Sequence, residues 1–102
     1  MIVVRFKVHC LAERTDEVLA AMKDVVAPSR ALPGVIHFDV ARDVTDSNAL
    51  IAIEVFEDRA AMDRQESQPE IAKVVGLVET GALSAPPEWT IFEVASAESP
   101  EI

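Results

Sequence analysis

The stretch Leu50-Ile51-Ala52-Ile53-Glu54-Val55-Phe56 decides the fold of this chain. It is apolar on both sides of an extended backbone except at Glu54, and its length is typical of a strand rather than a helix. A strand without a polar side is typical of the centre of a sheet that is covered on both faces. The stretch therefore predicts a central strand that carries one carboxyl group.

Three other segments alternate between apolar and polar side chains with the period of a strand. They are residues 2–9, 35–42 and 89–94. The polar run at residues 43–48 lies between the second strand and the central one. Its Asp, Asn and Ser side chains can bond to nearby backbone groups, which predicts a turn there.

Two segments repeat apolar side chains at helical spacing. The first begins at Thr15, whose hydroxyl is a candidate cap, and we expect Pro28 to interrupt it or to open a short extra turn. The second begins at Asp58, also a candidate cap, and starts again at Gln68-Pro69-Glu70. The order is therefore β-α-β-β-α-β. It predicts an α+β domain of the ferredoxin-like type, a four-stranded antiparallel sheet with two helices on one face.

Two helices can cover only one face of such a sheet, yet the central strand is apolar on both. A bare second face would expose a contiguous apolar patch of the kind that monomers avoid. Stacking the bare faces of two copies would cover it, and a two-fold dimer is the simplest closed assembly that does so. The sequence thus predicts a homodimer.

The length of 102 residues is that of one domain. We expect residues 1–95 to form this domain and residues 96–102 to form a short, acidic and flexible tail. Neither an internal repeat nor a linker to a second domain is evident.

Composition excludes several classes of partner. Nine basic residues face eighteen acidic ones, and the net charge of -9 argues against nucleic acid, whose phosphates are bound through Lys and Arg. The apolar stretches are shorter than the roughly 20 residues of a membrane span, so no membrane partner is expected. Cys10 is the only cysteine, which rules out an internal disulfide. The first residues lack the features of a leader peptide, so we expect a cytoplasmic location.

With this topology in hand, several segments resemble the antibiotic-biosynthesis-monooxygenase family of the dimeric α+β barrel superfamily. The segments are Val4-Arg5-Phe6-Lys7-Val8, residues 28–34 followed by Phe38 and Arg42-Asp43, and residues 53–58 running into Arg59-Ala60-Ala61-Met62. The third of these carries an aromatic residue, Phe56, as the family usually does. The resemblance covers most of the chain and implies the fold more specifically than the chemistry.

The resemblance implies a cofactor-free monooxygenase that acts on an aromatic or quinol-type substrate, or a related small-molecule enzyme. One departure weakens this implication. Many relatives have histidines where this chain has Gln65 and Glu70, with Pro69 retained. Glutamine can bond a ligand but cannot shuttle protons near neutral pH. The strand-one asparagine of haem-degrading relatives is also missing, so no haem is expected.

His37 and Glu54 are the candidate catalytic residues. His37 could act as a general base inside a cavity beside the sheet, although a half-buried strand histidine bonded to a neighbour is the commoner case. Glu54 could bond a substrate or hold a raised pKa suited to proton transfer. Alternatively, it forms a cross-strand salt bridge to Arg5 or Lys7, or a dimer contact. If Arg5 shares a face with both candidates, the three would form a polar cluster, but the strand register is open at this stage.

The resemblance places a ligand cavity between sheet and helices, with Phe38, Phe56 and Met62 as wall residues and Arg5 and Gln65 as further ligand-binding candidates. Aromatic residues are, however, more often core than ligand platform. No His, Cys or carboxylate set has metal-ligand spacing, and glycine-rich phosphate loops are absent, so no metal or cofactor is expected.

Three hypotheses of function follow. The first is the cofactor-free oxygenase or related enzyme. The second is a non-catalytic dimer that binds a small apolar or aromatic ligand, or a stress-response module, which the missing histidines favour. The third is an isomerase of a small carbonyl compound, which the same absence weakens.

Overall fold

The computed structural model describes residues 1–101, which form a two-layer α+β domain. The strands are β1 (Ile2–His9), β2 (Val35–Asp43), β3 (Asp46–Phe56) and β4 (Glu88–Glu93). The helices are α1 (Thr15–Arg30), α2 (Arg59–Glu66) and α3 (Pro69–Glu79), and a 3-10 turn over Ala12–Arg14 precedes α1. This confirms the predicted ferredoxin-like fold.

The sheet is antiparallel throughout and has the strand order β2-β3-β1-β4. The segment that was predicted to be central, β3, pairs with β1 on one side and with β2 on the other. Its register with β1 places Val4 opposite Glu54 and Phe6 opposite Ala52. Directly opposed residues point to the same face of a sheet, so this register decides which side chains meet.

One face of the sheet is covered by the three helices; we call it the helix face. Alternate residues of β3, namely Leu50, Ala52, Glu54 and Phe56, point to this face and are buried. The apolar core there consists of two clusters. The larger includes Leu50 and Ala52 together with residues of α1 and α3, and the smaller consists of Ile2, Val4, Phe56, Ala61 and Met62. Glu54 lies between the two clusters along β3.

The other face of the sheet, which we call the open face, has no element of the chain packed on it. It carries apolar side chains at its centre and at one edge. Ile53 is 37% exposed and Phe92 is 46% exposed. Two ion pairs lie on this face: Arg5 pairs with Glu88 at 3.3 Å, and Lys7 with Asp43 at 2.7 Å.

The turn between β2 and β3 is shorter than predicted. Only Val44 and Thr45 separate the two strands, whereas the sequence predicted a turn over residues 43–48. Asp43 Oδ1 accepts hydrogen bonds from the backbone N–H of Thr45 (2.8 Å) and from its hydroxyl (2.7 Å). Because the Asp43 side chain alone bonds the polar groups of the turn, the polar residues on either side can continue the strands.

Four predicted features of the helices can be compared with the structure, and two of them are confirmed. The second helical segment does start again, as α3, with Pro69 in its first turn, and Asp58 caps α2 by accepting from the N–H of Ala61 at 2.9 Å. Pro28, in contrast, does not interrupt α1, which continues through it to Arg30. Thr15 begins α1 but does not cap it, since its hydroxyl bonds to the carbonyl oxygen of Leu11 at 3.0 Å.

Gly34 joins α1 to β2 in a backbone conformation that requires glycine. Its φ is +83°, in the left-handed region, and a Cβ placed there would lie 2.6 Å from the Cβ of Ala61 on α2. Its carbonyl oxygen accepts a hydrogen bond from Glu57 at 2.8 Å. The contact brings α2 close to the beginning of β2.

The chain after β4 has no regular secondary structure over residues 96–101, and these residues are exposed. Ile102, the last residue of the predicted tail, lies outside the described residues. The flexibility of this tail stays a prediction. Within residues 1–101 no helix combines the length and the apolar composition that crossing a bilayer requires.

Candidate active site

A cavity of about 320 Å³ lies between the helix face of the sheet and the helices. Its size is within the range of small-molecule sites. The strands contribute the side chains of Phe6, Phe38, Val40, Ala52 and Trp89. The helices α1 and α3 contribute those of Met22, Val25, Ile71, Val74 and Val75. These ten apolar side chains make the wall suitable for a hydrophobic ligand.

The cavity opens between α3 and β4. Trp89 and Val75, on opposite sides of this opening, are 58% and 45% exposed although both line the cavity. The ring of Trp89 meets that of Phe6 edge-on, with the ring centroids 6.3 Å apart. A second hollow of about 220 Å³, which shares both rings, continues the cavity toward Val78 and Pro87.

Glu54 is the buried acid of this cavity. Its exposed fraction is 8%, and within the described part of the chain its carboxyl group has neither a hydrogen-bond donor nor an ion-pair partner. Burial raises its pKa to about 7, and the negative charge of Glu66 adds to the increase. The carboxyl group can therefore be protonated or ionised at physiological pH, which is the property a general acid or base needs.

Glu66, at the end of α2, is a second carboxyl group in the cavity wall. It is half-buried, and burial is the main reason that its pKa is raised, with a smaller contribution from Asp63. No side chain that lines the cavity is basic. Any charge that the wall carries is therefore negative.

Gln65 is the only other polar residue that the described part of the chain contributes to the wall. A hydrogen bond to α1 holds its side chain in place. It is 2% exposed, and its Nε2 donates to the hydroxyl of the fully buried Ser29 at 3.2 Å. Gln68 donates to the same hydroxyl at 2.9 Å. No buried side-chain oxygen among residues 1–101 lacks a partner, so the Oε1 of Gln65 must retain exposed surface, which the cavity provides. This amide can bond a ligand but cannot exchange protons with it.

The register separates the residues that the sequence proposed as one polar cluster. Glu54 is opposed to Phe38 and points into the cavity, whereas His37 is opposed to Val55 and points to the open face. Arg5 also lies on the open face, bonded to Glu88. The condition for a polar cluster of Arg5, His37 and Glu54, a shared face, is therefore not met. Glu54 also forms no salt bridge to Arg5 or Lys7, which was one of the two alternatives for this residue.

Among the expected wall residues, Phe38 and Gln65 line the cavity and two others do not. Phe56 and Met62 point to the helix face, but they pack in the smaller core cluster, with exposed fractions of 0% and 5%. The placement of Phe56 and Met62 in the wall is thus corrected. They are separated from the cavity because α2 closes over this end of the sheet.

Sequence analysis missed Glu66 and the apolar residues of α3 as parts of the site. The apolar residues had been assigned to a core stripe, which gives no sign of a cavity. Glu66 had no distinguishing pattern, although it directly follows Gln65 and precedes the break between α2 and α3. Among the described residues, no group of three or more His, Cys, Asp or Glu side chains is arranged to hold a metal ion.

The fold and the cavity define a class of protein: small α+β domains of ferredoxin-like topology with an apolar ligand cavity between sheet and helices. The protein-family model described as antibiotic biosynthesis monooxygenase matches residues 1–76. Because this match covers most of the chain, the chain belongs to the antibiotic biosynthesis monooxygenase family.

The chain is also similar in sequence to a protein whose function is not described. An uncharacterised protein of Synechocystis, sll1783, is 28% identical over 98 residues. The alignment covers 96% of this chain and 66% of that protein, so the chain spans about two thirds of its relative's length.

Two solved structures have the same fold. One is described as an antibiotic biosynthesis monooxygenase and has a TM-score of 0.82 at 22% identity, covering 94% of this chain and all of the other. The other, Rv0793 from Mycobacterium tuberculosis, has a TM-score of 0.85 at 18% identity, covering 96% and 98%.

Proposed function

We propose that this protein is a cofactor-free monooxygenase that acts on an apolar aromatic or quinol-type substrate, with Glu54 as its general base. The observation that carries the proposal is the unpartnered, buried carboxyl group in an otherwise apolar cavity. The family match and the size of the cavity support the same class of substrate.

The proposed reaction needs one base and molecular oxygen. Glu54 takes a proton from a ring CH₂ group made acidic by a neighbouring carbonyl, and the resulting carbanion adds O₂ to give a peroxide. The peroxide then loses water, with the proton returned by Glu54, and leaves a carbonyl. The balance is CH₂ + O₂ → C=O + H₂O, in which the carbon is oxidised and oxygen is reduced. The chain contributes orientation, exclusion of water and the proton transfer.

The second candidate function is binding without turnover. It is favoured by Gln65, which is fixed by Ser29 and cannot transfer protons at the position where many relatives have a histidine. In that case the protein would be a ligand-binding or stress-response module, and Glu54 would serve as a hydrogen-bond partner.

We also propose that the protein is a homodimer joined through the open face. Proteins of this fold are typically small dimers. The half-exposed Ile53 and Phe92 on the open face support this arrangement, since a second copy would cover them. We retain a cytoplasmic location as part of the proposal; the one cysteine, Cys10, is buried and free.

Oxygen uptake separates the two functions. We expect wild-type protein to consume O₂ with anthrone, which carries the required ring CH₂ group, with a rate that rises as the pH is raised through about 7, where Glu54 ionises. Glu54→Gln should lower the rate roughly 100-fold or more, the usual contribution of a general base. Glu13→Gln, which removes an exposed carboxyl group outside the cavity, is the matched control. Tight binding of anthrone without oxygen uptake would instead establish the second function.

A further inference from the structure

We propose that the ligand of this cavity carries a protonated amine beside its apolar ring system, and that its ammonium group binds between Glu54 and Glu66. The inference rests on the second candidate function, binding without turnover, in which Glu54 bonds the ligand instead of acting as a base. It concerns the charge of the ligand, which neither the family nor the proposed reaction specifies.

The first argument is the unmet bonding capacity of Glu54. The residue is 8% exposed and its carboxyl group has no donor among the described residues, so its oxygens keep their remaining accessible surface toward the cavity. Buried carboxylates are ordinarily bonded to a cation or to several N–H groups, because an isolated charge is costly in an apolar environment. The missing partner can be supplied by a ligand that enters the cavity.

The second argument is the sign of the charge around Glu54. Facing it across the cavity, α1 and α3 contribute only apolar side chains, and α2 contributes Gln65 and Glu66. Two carboxyl groups thus share a wall with no basic residue. An anionic ligand would be repelled, a neutral one would leave the carboxylates uncompensated, and a cation would compensate them.

Four basic residues of the sheet and of the helices above it are engaged away from the cavity. Arg30 donates to the carbonyl oxygen of Phe38 and pairs with Asp39, and Arg64 donates to the carbonyl oxygen of Pro33. Arg5 and Lys7 are held on the open face by Glu88 and Asp43. These four residues therefore do not neutralise the carboxyl groups of the cavity, and a cationic ligand can do so.

The rings in the wall suit the same ligand. Phe6, Phe38 and Trp89 line the cavity, and the faces of aromatic rings attract cations as well as apolar groups. The net charge of -9 favours the approach of a cation through long-range attraction. A ligand with an aromatic ring and an alkylammonium group therefore suits both the apolar rings and the carboxyl groups of the wall.

Three compounds of nearly equal shape test the inference: naphthalene-2-methylamine, naphthalene-2-methanol and 2-naphthoate. In calorimetric titrations at pH 8 we expect the amine to bind roughly tenfold more tightly than the alcohol, as charge-assisted bonds are the stronger kind. The carboxylate should bind more weakly than either. In Glu54→Gln the advantage of the amine over the alcohol should disappear, whereas Glu13→Gln should preserve it.

The pH dependence provides a second readout. The amine is protonated from pH 6 to pH 8, but Glu54, with a pKa of about 7, is mostly protonated at pH 6. The affinity of the protein for the amine should therefore fall roughly tenfold from pH 8 to pH 6. Binding of the amine at pH 6 should release about one proton per site. The alcohol should show neither effect.

The outcomes distinguish this inference from the proposed function. If the alcohol binds as tightly as the amine, or if Glu54→Gln keeps the preference for the amine, the inference is overturned while the cavity remains a ligand site. If none of the three compounds binds, the inference is also overturned, and oxygen uptake with anthrone decides the oxygenase function separately.

Discussion

Glu54 and His37 lie on adjacent strands but point to opposite faces of the sheet. On β2, Phe38 lies opposite Glu54. His37, which precedes Phe38, lies opposite Val55. One position along a strand thus separates a buried acid in the cavity from an exposed histidine on the open face. The chemistry of the cavity therefore depends on Glu54 and its neighbours on α2.

Replacing Glu54 by Gln should change how stability varies with pH. The pKa of Glu54 is raised from 4.5 to about 7 in the folded protein, so between these values the folded state holds a proton that the unfolded state releases. The contribution of Glu54 to the free energy of unfolding of the wild type therefore decreases as the pH rises toward 7, and the free energy levels off above that pH. A rise of the Glu54 pKa from 4.5 to about 7 corresponds to about 3 kcal/mol of stability in full.

We expect the free energy of unfolding of Glu54→Gln, measured relative to wild type, to increase by about 2 to 3 kcal/mol between pH 5 and pH 8.5. Urea unfolding at one protein concentration measures it. Glu13→Gln should show no such trend. A constant difference between Glu54→Gln and wild type over this range would contradict the raised pKa.

Replacing Gly34 by Ala should destabilise the fold by roughly 2 to 4 kcal/mol, the sum of a left-handed backbone penalty and of overpacking. Both terms follow from its φ of +83° and from the 2.6 Å approach of the new Cβ to Ala61. Gly81→Ala is the control: its φ is +86°, but no atom lies within 4 Å of the new Cβ. It should cost only the backbone penalty of about 1 to 2 kcal/mol. Equal losses of stability in urea unfolding would show that the contact with Ala61 is unimportant.

Replacing Ile53 by Arg should convert the proposed dimer to a monomer. Ile53 lies on the open face, on one of the two strands that have neighbours on both sides, and a buried unpaired charge there would oppose stacking of two sheets. Val44→Arg, at the fully exposed tip of the β2-β3 turn, is the control. Sedimentation velocity at micromolar concentration should show a monomer for Ile53→Arg and a dimer for wild type and control. A monomeric wild type would refute the proposed interface.

The order of strands and helices was predictable because each depends on local pattern. The apolar run of residues 50–56, the alternation in β1, and the capping residue Asp58 each indicate their element without reference to the rest of the chain. The turn of the β2-β3 hairpin was placed too broadly because polar residues suit both a turn and an exposed strand end. Pro28 was misjudged because its position lies so near the end of α1 that the helix tolerates it.

The candidate site was only partly predictable. Glu54 was conspicuous as a single carboxyl group in an apolar strand, and Gln65 and Phe38 were placed at the site through the family resemblance. His37, Arg5, Phe56 and Met62 were equally plausible from the sequence, but the register and the helices place them elsewhere. Glu66 had no local sign of its role.

The amino-acid sequence by itself determined the element order, the central place of β3 and the presence of one unusual acid within it, because period and composition act over a few neighbouring residues. The tertiary structure alone decided that Glu54 faces an apolar cavity together with Glu66 while His37 faces the other way. That outcome depends on strand register and on the packing of helices over the sheet. Both arise from contacts between residues that are distant in the chain.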